Sequence, residues 1–271
     1  PKYFYFLLQG LKIESHGNSR HDKFLKEKKI IIPPIDTQKK IVFILEKAEK
    51  LKEYRKQSID LTNDYINSVL LTMFGNPNIN NKNWPIVKFK SVAVIKRNTL
   101  HPDQFEDNYI YIGLEHIESC TGKFLNKINV RDIELKSSKF YFDEKCLLYG
   151  KLRPYLNKVV IPNFKGVCST DILPIKPIDN VSNRYFLAYL LKQNYFVKKA
   201  ASVSTGANLP RISPKSIDKF DIYLPPLYLQ NKFAEIATGF DSINNYQNQT
   251  RYYIDNYFNY IMKSAFAGEL C

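Results

Sequence analysis

The sequence predicts an α+β protein: a mixed α/β globular domain carrying two long helices that pair as an antiparallel coiled coil. Three observations predict it. The phrase IIIPPIDTQ, Ile30 to Gln38, returns as IYLPPLYLQ, Ile222 to Gln230. Each copy opens a long stretch with apolar residues at heptad spacing, the pattern of a coiled-coil seam. The segment between the copies alternates short strand-like runs with turn residues and carries most of the positive charge.

The repeat comes first because it divides the chain. Sliding the sequence on itself by 192 positions sets Pro33 and Pro34 on Pro225 and Pro226, Gln38 on Gln230, Tyr65 on Tyr257 and Phe74 on Phe266 without a gap. A register kept that long marks a duplicated unit. Upstream the likeness loosens: YFYFLL at Tyr3 to Leu8 parallels YFLAYLL at Tyr185 to Leu191, and HGNSRH at His16 to His21 parallels TGANLPR at Thr205 to Arg211. The expected organisation is therefore the tail of a first domain at 1–32, a helix at 33–75, a complete domain at 76–223 and a second helix at 224–271.

Each proline pair suits an extended lead-in ending at the first turn of a helix, where a missing N–H costs little. In the second helix Phe233, Phe240, Gln247, Ile254 and Ile261 recur every seven residues, as do Ile236, Ile243, Thr250 and Tyr257. The first helix carries Ile41, Ala48, Arg55, Thr62 and Val69 at one set of equivalent positions and Ile44, Leu51, Ser58 and Tyr65 at the other. These are the expected seam residues. The seam is polar at mid-length, a feature that costs stability but fixes register. Because the central segment leaves the first helix and feeds the second, two helices attached on one side of it must run antiparallel.

The central segment offers strand-like runs at Ile86 to Ile95, Tyr109 to Leu114, Cys146 to Leu152 and Lys158 to Pro162, a helix at Arg184 to Lys199 and a loop at Ser202 to Pro210. It holds about ten more Lys and Arg than Asp and Glu, while the two helices nearly balance. The whole chain carries a net charge of +14 with 19 Tyr and 18 Phe among 271 residues. A cationic, aromatic-rich surface fits a polyanion with flat faces, and nucleic acid meets that description before an anionic membrane does. The first apolar run, Tyr3 to Leu8, is too short to span a bilayer and lacks the flanks of a secretory signal, so no membrane partner and a cytoplasmic setting are expected. Cys120, Cys146, Cys168 and Cys271 form no CxxC pair, so neither a metal site nor a disulfide framework is expected.

Two loops carry the candidate chemistry. GKLRPYLNK, Gly150 to Lys158, presents a guanidinium, a phenol and an amide between strand-like flanks. Arg can read guanine bidentately, Asn can read adenine and Lys grips phosphate. The second loop, SVSTGANLPRISPK, runs from Ser202 to Lys215; its glycine permits close backbone approach to a phosphate. The expected DNA contacts are Lys151, Arg153, Tyr155, Asn157, Lys158, Ser204, Thr205, Gly206, Asn208, Arg211 and Lys215, with Lys151 and Lys215 on phosphates. Glu115, His116 and Glu118 on YIGLEHIES are expected to be structural, and CSTDI, Cys168 to Ile172, to pack as strand. No dinucleotide fingerprint, phosphate-binding P-loop or amino-methyltransferase motif occurs.

In their order, PPIDTQ and PPLYLQ, MFGNP at Met73 to Pro77 leading to NKNWP at Asn81 to Pro85, YIGLEHIE, LLYGKLRPYLNKV, CSTDI, STGANLPRIS and AFAGEL at Ala265 to Leu270 give a chain that resembles the specificity subunits of Type I restriction-modification systems. The resemblance implies target-recognition domains that each read half of a bipartite double-stranded DNA site, with paired helices as a spacer. It also implies a non-catalytic subunit in defence against foreign DNA. Methyltransferase subunits would supply S-adenosylmethionine-dependent adenine methylation, and a restriction subunit would supply ATP- and Mg-dependent steps. This chain departs from the pattern in having only the tail of a first recognition domain. It reads either as a fragment or as a half-subunit that pairs with a copy of itself. Two rivals stand beside this reading: a coiled-coil adaptor or mimic whose basic domain binds protein, and a hydrolase built on Ser169 and Asp171.

Overall fold

A computed structural model describes residues 1–11, 30, 32–76 and 79–267; His16 to His21, Pro77 and the end of AFAGEL lie outside them. The described chain is α+β. Its helices are α1 (Lys2–Gly10), α2 (Ile35–Phe74), α3 (Arg184–Lys192), α4 (Asn194–Ser202), α5 (Pro214–Asp218) and α6 (Leu227–Ala267). It forms two compact units, one from the described residues of Pro1–Ile66 and Phe240–Cys271, the other from those of Asn67–Gly239.

The repeated phrase is a helix-start device. Gln38 and Gln230 each donate from Nε2 to the carbonyl of the first proline, Pro33 and Pro225, at 2.8 Å in both copies. Their backbone amides accept the helical role, bonding to Pro34 O at 3.0 Å and Pro226 O at 3.2 Å. The glutamine thus occupies the proline carbonyl that no intrahelical amide reaches.

In the first unit the long helices run antiparallel. Ile41, Leu45 and Ala48 of α2 share a core with Phe258, Ile261, Met262 and Ala265 of α6 and with Tyr3, Phe6 and Leu7 of α1. Further along, Lys52 pairs with Asp255 at 3.1 Å, Gln247 donates to Ser58 and Thr62 at 3.0 Å each, and the Tyr65 and Phe240 rings lie 5.4 Å apart. Rising residue numbers on one helix meet falling numbers on the other.

The seam itself departs from the sequence expectation. The set containing Ile41, Val69, Phe233, Phe240, Ile254 and Ile261 is buried or half-buried. The other set is displaced by one residue: Leu45, Ile59, Ile66, Ala237, Phe258 and Ala265 are buried, whereas Leu51, Tyr65, Ile243 and Tyr257 are exposed and Ile44 and Ile236 half-buried. Positions three and four beyond a seam residue flank it on opposite sides, and this sequence is apolar at both. The inward set, Phe258 apart, is aliphatic, whereas two of the four outward residues are tyrosines. The outward side keeps its heptad: Leu51, Tyr54, Leu61 and Tyr65 on α2, and Ile243, Tyr246, Tyr253 and Tyr257 on α6, form exposed stripes at equivalent positions of the repeat.

In the second unit α2 ends at a left-handed Gly75, φ 81°, where a Cβ would fall 2.2 Å from Asn81 Oδ1; a glycine is the residue for that stop. Trp84, the one tryptophan, donates from its indole to Phe74 O at 2.8 Å. The Phe74 ring meets Phe186 of α3 and Phe233 of α6. The strands are β1 (Ile86–Lys88), β2 (Ala93–Ile95), β3 (Thr99–Leu100), β4 (Ile110–Ile112), β5 (Ile128–Asn129), β6 (Lys139–Phe142), β7 (Leu147–Gly150), β8 (Val159–Val160), β9 (Gly166–Cys168), β10 (Ile172–Pro177) and β11 (Asp221–Tyr223). They form sheets of order β2-β10-β7-β8, β3-β6-β9-β4-β5 and β1-β11. Among the described residues only β4 and β9 pair in parallel. Ile112, Phe142, Leu148, Val160, Cys168 and Ile172 fill one core between strands of the two larger sheets.

The single helix expected at Arg184 to Lys199 is two. Gln193, at φ −65° and ψ 140°, is extended and separates α3 from α4. No proline or glycine announces the break.

Candidate nucleic-acid interface

Four backbone segments converge at one end of the four-stranded sheet. β7 exits through Gly150, opposite Ile172 where β10 begins. β8 begins beside them, the Gly150 amide donating to Lys158 O at 2.8 Å. β2, antiparallel to β10, exits at the same end. Both candidate loops spring from this end or fold onto it.

They are joined by backbone. Arg153 N donates to Pro210 O at 2.7 Å, and Ile212 N to Lys151 O at 3.1 Å. Within the second loop Thr205 and Arg211 exchange backbone bonds at 3.0 and 2.8 Å, closing a turn around Gly206. That glycine has φ 106°, and a Cβ would meet Leu209 O at 2.9 Å, so a side chain there would force the turn open.

A charged clamp locks the junction. Arg211 donates from Nε and Nη2 to Asp171 Oδ1 and Oδ2 at 2.8 and 3.0 Å, the bidentate arrangement that adds geometric specificity to charge. The hydrogen bonds from Arg211 hold the Asp171 carboxyl below its ordinary value, reinforced by the charges of Arg211 and Lys151. Lys151 Nζ lies 3.9 Å from the same carboxylate.

The expected contact residues therefore divide. Asn157 donates to Lys192 O at 2.9 Å, Lys158 to Leu114 O at 2.7 Å and Ser204 to Ala200 O at 2.8 Å; with Arg211 and Lys151 they brace the loops from within. Arg153, Tyr155, Thr205, Gly206, Asn208 and Lys215 are exposed. Arg153 is held in the left-handed region, φ 50°, and its Nη2 lies 3.4 Å from Asn208 O, so the two loop tips share one outward face. The partnership of Asp171 with Arg211 spans forty positions of sequence, beyond any local signal.

The remaining candidates are structural. His116 is buried, its Nδ1 accepting from Gly113 N at 3.0 Å. Burial pushes the Cys146 thiol up to about 12 and raises Cys168 as well, leaving both neutral and poor nucleophiles. Asp171 is occupied by Arg211 and not by a histidine, which leaves Ser169 without the base a hydrolase needs. Among the described residues no group of His, Cys, Asp or Glu could hold a metal ion, and no helix is long and apolar enough to cross a membrane.

Known proteins resemble this chain in sequence and in fold. A family model described as the Type I restriction modification DNA specificity domain matches residues 81–252. The specificity subunit of the Escherichia coli Type I restriction enzyme EcoDI is 30% identical over 230 residues, 82% of this chain and 51% of that one; the chain thus spans about half the length of this curated relative. Among solved structures, a chain from a study of Type I R-M complex assembly is 17% identical, covering 99% of this chain and 69% of its own, with TM-score 0.59. The Type I S subunit from M. genitalium is 13% identical, covering 98% and 72%, with TM-score 0.59. At these identities the structural likeness is one of fold.

Proposed function

Because the chain belongs to the family of Type I restriction modification DNA specificity domains, we propose that it is the sequence-recognition subunit of a Type I restriction-modification complex. It reads one half of a bipartite duplex site and scaffolds the methyltransferase subunits, with a restriction subunit as a further partner. Adenine methylation, and the S-adenosylmethionine, ATP and Mg it and restriction require, fall to those partners.

The observation that carries this reading is the clamped loop pair of the cationic unit. Arg153 stands beside Asn208 on an exposed face, braced by Arg211 and Asp171 beneath. Preorganised in this way, Arg153 and Asn208 address base edges, Tyr155 and Thr205 flank them, and Lys215 takes a phosphate. The exposed heptad stripes of α2 and α6 are the scaffold's free faces; apolar residues at that spacing take up partner helices.

Coexpression with the methyltransferase subunit followed by sequencing of methylated positions tests the proposal. A single bipartite motif is expected. Arg153→Ala should relax one base pair of it, a loss of about 1–3 kcal/mol in discrimination; an unchanged motif would remove Arg153 from the base readers.

A further inference from the structure

We propose that Arg97 is a further DNA contact, a phosphate anchor lying beside the two recognised loops; the proposal rests on the DNA-recognition reading above. The topology brings it there. β2 pairs antiparallel with β10 through Ile95 and Ile175, and the ladder continues as Lys96 N donates to Pro174 O at 2.8 Å. Arg97 therefore leaves the sheet at the end where β10 enters and β7 exits, the end that carries the Arg153 loop.

Its side chain is exposed, and among the described residues no ion pair or side-chain hydrogen bond engages it. The other described arginines of this unit are engaged: Arg131 with Asp107, Arg211 with Asp171, Arg184 with the carbonyls of Glu144 and Pro162, and Arg153 with Asn208 O. Among the described residues no acid lies within ion-pair distance of Arg97.

Spacing selects phosphate over base. β2 lies two strands from β7, about 10 Å at the usual strand separation. A major groove is about 12 Å wide, so with Arg153 over base edges a guanidinium displaced by that distance meets the bordering phosphate strand. Arg97 would add affinity and orientation without reading sequence.

The test uses the chain assembled with its methyltransferase subunit, on a duplex containing the methylated motif and on a scrambled duplex, from 50 to 200 mM salt. Arg97→Ala should leave the motif unchanged and make the slope of log affinity against log salt shallower by about 0.9, so that its affinity falls about 3.5-fold less over that range than the parent's. Arg97→Lys should restore the parent slope, and thermal unfolding should show each variant folded. An Arg97→Ala slope equal to the parent's overturns the proposal, as does a relaxed base pair, which would make Arg97 a reader. Failure of the parent complex to prefer the motif would instead strike the underlying reading.

Discussion

The two glutamines of the repeated phrase, Gln38 and Gln230, make the same clamp and differ in everything built on it. Each closes on its proline carbonyl at 2.8 Å. Gln38 is half-buried, and among the described residues its side-chain amide makes that bond alone. Gln230 is 0% exposed, and it also accepts from Asn183 N at 3.0 Å and donates to Val181 O at 3.3 Å, tying the helix start to the turn that leads into α3. The surroundings repeat the contrast. Around Gln230's helix start, Phe74, Phe186, Tyr189 and Phe233 interlock ring to edge; around Gln38's, Tyr3 meets Phe266 edge-on within a core that mixes Phe6 and Phe258 with aliphatic side chains. A duplicated phrase thus encodes the joint, while the domain attached to it decides how firmly the joint is held.

The largest break in that comparison should come from Gln230→Leu. It leaves a backbone donor and two carbonyls unanswered, one of them deep in the unit, and should cost about 2–4 kcal/mol in denaturant unfolding. Gln38→Leu removes one bond to a partly hydrated carbonyl and should cost about 1 kcal/mol. Equal losses would show that the extra bonds of Gln230 contribute nothing.

Acid offers a more local probe, confined to the second unit. The Asp171 carboxyl is held below its ordinary value in the folded chain, so its contribution is fully present above the ordinary carboxylate pKa. It is lost as pH falls through the depressed one. Amide exchange at Thr205 and Arg211 should stay protected through the range where ordinary carboxylates protonate, then accelerate below it. Asp171→Asn should remove that acid step; its survival would place the titrating group elsewhere.

The smallest effect on stability is expected on the outward stripes. Leu61→Ser with Tyr253→Ser, at 69% and 59% exposure, should change unfolding by less than about 0.5 kcal/mol each yet weaken capture of the methyltransferase subunit. Unimpaired capture would free those stripes from the scaffold role.

Where the sequence was legible, the signal was local or periodic. The helix starts, the antiparallel pair and one of the two seam sets followed from prolines and heptads. The second set slipped by one because Ile44 and Leu45, or Tyr65 and Ile66, are equally apolar neighbours on opposite sides of the seam, and periodicity cannot choose between them. β10, the longest strand among the described residues, is masked in the sequence by Pro174 and Pro177, which argue against a sheet interior. The candidate loops stood out through Gly, Pro and Asn, but which of their side chains face outward depended on partners such as Asp171, Lys192 and Leu114, far off in sequence. Arg97 was invisible for the same reason, since only the strand order places it beside Arg153.

The lone indole of Trp84, hydrogen-bonded to the final carbonyl of α2, has an optical consequence. With no second tryptophan to dilute its emission, fluorescence excited near 295 nm would report on this one joint, and its wavelength should shift red when the end of the helix frays and water reaches the ring.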